Sequence, residues 1–397
     1  MKLSLPVLIV LASLATACSR ADVAPPPRPW EVEVPDGTNT IVHAPVRDEE
    51  RQLGRVALEV DLVLGNEADE HQRFGRVHDV GVDSEGRIYV ADGGSREVRV
   101  FDQEGQFVAS LGGAGEGPGE FGRPSSITIS GDRVFVGDNQ QRQLTTFAWP
   151  DLEHVDDFTT EIAHSDAIGA RPAGGVLATA FTFEMPEPGG DALEPVVRLL
   201  VSAVSADAAQ VSDLISLDLN NVPLLRQGTS RMFYRTSPHS HPEVVATPGG
   251  GLVYSLRSEY QVVALDGAGQ ALWAMQMLVP PEPVTAAVRE DLLAYVRQFT
   301  PEAMPSELNA PDHLPAIGRL RIDGLERLHV YHSAPDWNAP DADRPVDIYN
   351  LQGELLWSGM APAADWTASR GEYVYGIGTD PVTEEYRVTR WRLKLNS

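Results

Sequence analysis

The chain has 397 residues, 42% of them hydrophobic, a single cysteine, and a formal net charge of −26 from 57 acidic against 31 basic residues. One cysteine excludes an intrachain disulfide, and the acidic excess excludes a nucleic-acid partner, because a phosphate backbone would be repelled. Cationic ligands, metals or basic partner surfaces are compatible with it, as is an acidic surface that serves solvation alone.

In chain order, Met1–Cys18 reads as a targeting segment. Lys2 supplies the basic start, Leu3–Leu14 the apolar core, and Ala15-Thr16-Ala17 the small residues before Cys18. The 12 residues of that core are too few to span a bilayer as a helix. A small residue directly before the sole cysteine is similar to a bacterial lipobox, with Ala15 where leucine is commoner; Cys18 is then the lipidation site and the membrane anchor. Ser19 after the cysteine favours the outer membrane by analogy with enteric bacteria, so the expected location is exported and membrane-anchored, at the outer membrane or the periplasmic face. Residues 19–54 contain Pro25-Pro26-Pro27, lack sustained periodicity and read as a tether.

Residues 55–397 read as an all-β ring. Asp79–Gly112 holds four short alternating runs separated by three tight turns. The cadence returns in Ser126–Phe147, where RVFVGD at Arg133–Asp138 matches RIYVAD at Arg87–Asp92, a period of 133 − 87 = 46 residues. A four-strand unit recurring at about 40–50 residues marks a β-propeller blade. Weaker copies begin near Val176, Leu252, Arg327 and Tyr373, giving six blades of four antiparallel strands. The last blade lacks an outer strand, and Val56–Leu64 alternates correctly to supply it and close the ring. Phe183–Val196 reads as a long loop in the third blade. Within 280–314, Val284, Val288, Leu292, Tyr295, Val296 and Phe299 fall at helical spacing, predicting one helical insertion between blades four and five, either a structural cap or a lid.

GRIYVAD, the following REVRVFDQEGQFVASLG and the loop GAGEGPGEFGRP at Gly113–Pro124 resemble the NHL-repeat class of six-bladed propellers. They resemble still more the uncharacterised bacterial six-bladed propeller lipoproteins, densely over Asp79–Phe147 and again over Gly249–Trp357. The resemblance implies the fold and little chemistry, since such rings host binders, lyases and lactonases alike.

Inner strands line a propeller's channel, so the residues at their starts ring its mouth. Counting back from each second strand places His78 and Asp79, Ser125 and Ser126, His164 and Asp166, His241 and Glu243, His313, and Asp365 there. His78, Asp79, Asp166, His241, Glu243 and Asp365 are therefore the candidate ligand-binding residues, and His78, His241, Asp166 and Glu243 the candidate ligands for a divalent metal such as calcium or zinc. The same residues also suit a water-filled polar channel. His239-Ser240-His241 puts two imidazoles on one side of an extended strand, whereas His329 and His332 are expected to point apart into packing or solvent. No nucleophile elbow or reactive-cysteine set is present, and the glycine-rich Gly112–Gly122 reads as a connector between blades. The sequence thus favours a membrane-anchored binding or scaffold module for a protein or small-molecule ligand, without catalysis. The alternative is a metal-dependent hydrolase or lyase at the channel mouth. Lactonase, arylesterase and amidating-lyase rings imply such a site, although Glu243 finds no asparagine partners at the aligned starts.

Cys18→Ser should abolish labelling by a fatty-acid probe and release the protein from membranes. Membrane retention of that variant would refute the anchor.

Overall fold

A computed structural model describes residues 38–43, 54–159, 166–172, 174–184, 196–207, 210–218, 242–256, 260–277, 283–297, 313–333, 342–362 and 364–396. Cys18, His164, His239 and His241 lie outside them.

Two strands precede the repeats, β1 (Asn39–His43) and β2 (Arg55–Leu64). Blade one is β3 (Val77–Val82), β4 (Ile88–Asp92), β5 (Glu97–Phe101) and β6 (Phe107–Leu111). Blade two is β7 (Pro124–Ser130), β8 (Arg133–Asp138), β9 (Gln143–Ala148) and β10 (His154–Phe158). Blade three is β11 (Asp166–Ala170), β12 (Val176–Glu184), β13 (Val196–Val204) and β14 (Val211–Asp218). Blade four is β15 (Glu243–Ala246), β16 (Leu252–Ser255), β17 (Gln261–Leu265) and β18 (Ala271–Met277), followed by the helix α1 (Ala286–Arg297). Blade five is β19 (Ile317–Ile322), β20 (Leu328–His332), β21 (Arg344–Tyr349) and β22 (Leu355–Ala361). Blade six is β23 (Trp366–Arg370), β24 (Tyr373–Thr379), β25 (Tyr386–Asn396) and, as its outer strand, β2. The ring is a six-bladed β-propeller.

The turns explain why the repeat is so regular. Asp102 Oδ1 accepts the backbone N–H groups of Glu104 and Gln106; Asp266 does the same for Ala268 and Gln270, and Asn350 for Gln352 and Glu354. Each of these turns then needs a residue at positive φ, supplied by Gly105, Gly269 and Gly353 at 84°, 80° and 81°. The last letter of the RIYVAD and RVFVGD repeats has its own task. Asp92 accepts N–H bonds from Gly75 and Arg76, and Asp138 from Gly122 and Arg123, so each fully buried carboxylate fixes the connector leading into its own blade. Burial alone would raise the Asp92 carboxyl; these bonds outweigh it and hold it below the ordinary range.

The hydrophobic core lies between blades rather than within them. Among the described residues six buried clusters form, one at each junction, such as Tyr89, Val100 and Leu111 against Ile127 and Val136 between blades one and two. β2 joins two of them: Val56 is buried in the cluster between blades five and six, and Leu64 in the one between blades six and one. It pairs antiparallel with β25 from Arg55↔Asn396 to Leu64↔Val388, as the sequence anticipates.

Three local features depart from the sequence reading. Asn39–His43, within the stretch read as a tether, pairs parallel with β18 and covers the outer edge of blade four; His43 Nε2 lies 2.9 Å from the Gly353 carbonyl oxygen. Of the stretch expected as a long loop, Phe183–Val196, the described ends are strand: β12 and β13 pair as far as Glu184↔Val196 and bury Leu199, Leu200 and Val201. The helix begins at Ala286 rather than Val284, with Thr285 capping it through a 3.3 Å bond from the Val288 N–H to its Oγ1. Val284, Val288 and Leu293 are buried, and a Pro283↔His313 bridge draws the two ends of the insertion together. Among the described residues no helix is long and apolar enough to cross a membrane.

A chain starting at Asn66 loses β2 and with it the burial of Val56 and Leu64, worth roughly 1.5–3 kcal/mol for each side chain, besides exposing β25 as an open edge. It should aggregate or melt well below a chain starting at Thr38. Equal melting temperatures would show that closure does not depend on this strand.

Candidate functional site

Antiparallel order brings the start of every inner strand and the end of every outer strand to one face of the ring, here termed the leading face. The insertion carrying α1 leaves the end of β18 and rejoins at the start of β19, so it departs from and returns to that face. In five blades the inner strand shifts register near its start: between Val77 and Asp79, Pro124 and Ser126, Ala167 and Gly169, Ile317 and Arg319, and Trp366 and Ala368. Such bulges re-aim the side chains beside them. They place His78, Ser125 and Thr367 where a regular pleat would not.

The structure divides the candidate residues between two groups. On one side are His78, Asp79 and Asp166. Asp79 Oδ2 accepts the Ile127 N–H of blade two at 2.8 Å, and its carboxyl is also hydrogen-bonded by the Thr367 side chain of blade six. One carboxyl thereby ties three consecutive blades. Its enclosure in the ring, reinforced by the nearby charge of Asp166, pushes its pKa up to about 7. Asp166 Oδ1 accepts the Ser125 hydroxyl at 2.9 Å. Alongside it, Ser126 Oγ accepts the Ala167 N–H at 2.9 Å and Thr128 Oγ1 donates to the Ala167 carbonyl at 3.0 Å. His78 packs over Gly93, where an added Cβ would come within 2.5 Å of its ring. Burial, then Arg76 and Arg123, lower its pKa and favour the neutral imidazole. The buried Nε2 of His78 has no hydrogen-bond partner among the described residues.

On the other side are Glu243 and Asp365, brought together by an arginine that the sequence reading passed over. Glu243 Oε2 accepts the Leu320 N–H at 3.2 Å and lies 3.4 Å from Arg321 Nη1. Arg321 also donates from Nη2 to Asp365 Oδ1 at 3.1 Å and from Nε to the Trp366 carbonyl at 2.7 Å, so this one side chain ties blades four, five and six. Arg319 bonds the same Asp365 oxygen. Burial alone would raise the Asp365 carboxyl, but Arg321 and Arg319 outweigh it and hold it below the usual carboxylate range. A cleft beside this pair is lined by Arg319, Arg321, Tyr331, Arg344, Asp365 and Trp366 among others. Within it the Trp366 indole N–H donates to the Tyr331 hydroxyl at 3.2 Å, and burial pushes that phenol up to about 12.

Blade five offered only His313 at its mouth in the sequence. The signal missed was the spacing in Arg319-Leu320-Arg321, two long cations two residues apart on an otherwise apolar inner strand. The other histidine expectation holds. His329 turns inward to Asp323 at 2.9 Å, while His332 bonds Asp347 at 2.7 Å in a buried network with Tyr260 and Ser358. Of the four candidate metal ligands, His78, Asp166 and Glu243 are described, and among the described residues no three His, Cys, Asp or Glu side chains gather as a metal cage.

The folded chain holds the Asp79 proton more tightly than the unfolded chain. That carboxyl therefore stabilises the fold fully below about pH 4, and the contribution is lost as pH rises through about 7. Asp79→Asn keeps an oxygen for the Ile127 N–H but cannot ionise. Its melting temperature should fall less than that of the wild type between pH 4 and pH 7. Parallel curves would show that Asp79 does not titrate in this range.

Comparison with known proteins agrees with the ring. Residues 65–168 match a family described as 6-bladed beta-propeller. Among solved structures the chain is similar to a member of the duf4221 family from Bacteroides vulgatus, at 11% identity and a TM-score of 0.50, covering 88% of this chain and 100% of that one. It is also similar to a protein from Bacteroides fragilis (10% identity, TM-score 0.49, 90% and 100% covered) and to virginiamycin B lyase from Staphylococcus aureus (9% identity, TM-score 0.40, 86% and 99% covered). At 11% identity the likeness to the duf4221 member shows the fold alone. No curated protein sequence matches the chain. Strand order, repeat and family match converge on one statement: this chain is a six-bladed β-propeller.

Proposed function

We propose that the protein is an exported, membrane-anchored β-propeller that binds a ligand at its leading face without catalysing a reaction. The observation that carries this reading is how the carboxylates of the mouth are used. Asp79, Asp166, Glu243 and Asp365 each bond a neighbouring blade, to the Ile127 N–H, the Ser125 hydroxyl, Arg321, and Arg321 with Arg319. A general acid or base must be free to move a proton to or from substrate, and these groups are instead holding the ring together. What they leave at the mouth is a polar rim held by bonds between blades, which suits recognition. The leader, with Cys18 after Ala17, supports the export and anchoring.

One observation favours a second reading. Burial, then Arg76 and Arg123, hold the His78 pKa below its ordinary value, and its buried Nε2 is unengaged among the described residues, as a metal-binding imidazole must be before the metal arrives. In that reading His78 and Asp166, with His241 from outside the described residues, serve a metal-dependent hydrolase or lyase.

Two measurements separate these. Protein purified without chelator should carry well under one zinc or calcium per chain. A thermal-shift screen of small molecules should yield stabilising compounds whose effect is lost on substituting leading-face residues and retained on substituting the opposite face. One metal per chain, lost in His78→Ala, would replace the binding reading with the enzymatic one.

A further inference from the structure

We propose that the leading face of blades one and two docks an acidic segment of a partner protein, with Arg76, Arg96, Arg123 and Arg142 as its contacts. The proposal gives the binding reading above a partner class and rests on it.

The four arginines come as two pairs, one blade repeat apart. Arg76 and Arg123 end the Phe-Gly-Arg runs directly before the inner strands β3 and β7, and Arg96 and Arg142 sit in the turns between second and third strands. All four are exposed. Close contacts make them one surface. A Cβ on Gly94 would fall 2.8 Å from the Arg76 backbone nitrogen, and one on Gly93 would fall 3.3 Å from Arg123 Cγ. Arg123 Nε then donates to Asn139 Oδ1, in the turn that carries Arg142, at 2.6 Å. Among the described residues none of the four is paired with a carboxylate. The acids around them are occupied elsewhere. Asp92 and Asp138 are buried and bonded to backbone N–H groups, and Glu97 pairs with Arg99. Glu120 accepts the Gly117 N–H, Asp157 pairs with His154, and Asp166 accepts the Ser125 hydroxyl. Glu116, in the connector between the two blades, stays exposed.

The turns do not require arginine. Arg96 and Arg142 hold φ of 61° and 58°, in the left-handed region that glycine favours. Each stands four residues after an aspartate, and in the matching turn of blade six that place is taken by Glu384, at 60°. The backbone is thus imposed by the turn and the side chain is not; two cations stand where glycine would fold as readily. The opposite ends of the same two blades carry the reverse charge, with Glu85, Glu104, Asp132, Asp151 and Glu153 exposed in their turns. Cations spread over two blades, rather than gathered in one pocket, match an extended acidic stretch better than a small ion. With a net charge of −26 the chain repels a uniformly charged polyanion at long range. A protein that concentrates its acids in one segment therefore fits this surface better than a nucleic acid.

The test is titration calorimetry on the full chain at low and at high salt, with an oligoglutamate peptide as probe and oligoglutamine as its neutral counterpart. Oligoglutamate should bind saturably and weaken as salt rises, and oligoglutamine should not bind. Arg96→Gly combined with Arg142→Gly should weaken oligoglutamate roughly three- to tenfold, the range for losing two exposed ion pairs. The melting temperature of that variant should hold or rise, because glycine suits both backbones. Arg76→Gln with Arg123→Gln should weaken the peptide similarly, while Glu104→Gln with Glu153→Gln, on the opposite face, should leave it nearly unchanged. Absent binding, equal binding of oligoglutamine, or undiminished affinity in the glycine variant would overturn the assignment. So would a marked fall in that variant's melting temperature, which would give the arginines to the fold. Tighter binding of phosphatidylglycerol vesicles than of the peptide would replace the partner protein with a membrane surface, and self-association abolished by the glycine variant would replace it with a second copy. If oligoglutamate fails while stabilising compounds still map to the leading face, the partner class falls and the binding reading stands.

Discussion

The structure depends on burial between blades. No blade of four short strands has enough apolar surface to stand alone, and the six buried clusters among the described residues each draw side chains from two neighbours. An arrangement of that kind is satisfied only when the last blade meets the first. β2 makes the meeting possible from the other end of the domain: Val56 enters one junction and Leu64 the next, while the strand's backbone completes the sheet of blade six. Closure is thus both a packing event and the removal of an open edge.

A polar belt repeats the same logic around the channel. Asp79 to Ile127, Ser126 to Ala167, Glu243 to Leu320 and Arg321 to Trp366 each carry a side chain of one inner strand to the backbone of the next. Buried or half-buried polar groups are tolerated because they are bonded in this way. The belt limits chemistry at the mouth, since a carboxylate that fastens two blades is poorly placed to exchange protons with a substrate. It also makes the rim stiff, which favours binding by lowering the ordering cost.

Charge is organised on two scales. The acidic excess spread over the chain suits solubility and repels polyanions at long range. At short range, three arginines concentrate in one cleft where protein walls limit screening by water.

Local chemistry was legible in the sequence. Period-2 runs, Asp-and-Gly turns and the spacing between RIYVAD and RVFVGD specify strands, turns and blades, because each is decided within a few residues of chain. The deficit in the last blade even pointed to Val56–Leu64 as the closing strand. What tertiary structure alone decided were matters of distance and neighbours. Asn39–His43 carries no repeat of its own and becomes a strand because the edge of β18 is there to pair with it. Asp79 and Asp365 look alike as exposed acids in sequence. Enclosure beside Asp166 raises one to about 7, while two arginines hold the other ionised. Arg321 reads as one more cation on a strand until the ring brings Glu243 from 78 residues before it and Asp365 from 44 residues after it to the same guanidinium. Charge and burial at a channel mouth depend on which chains meet there, and no local pattern encodes that meeting.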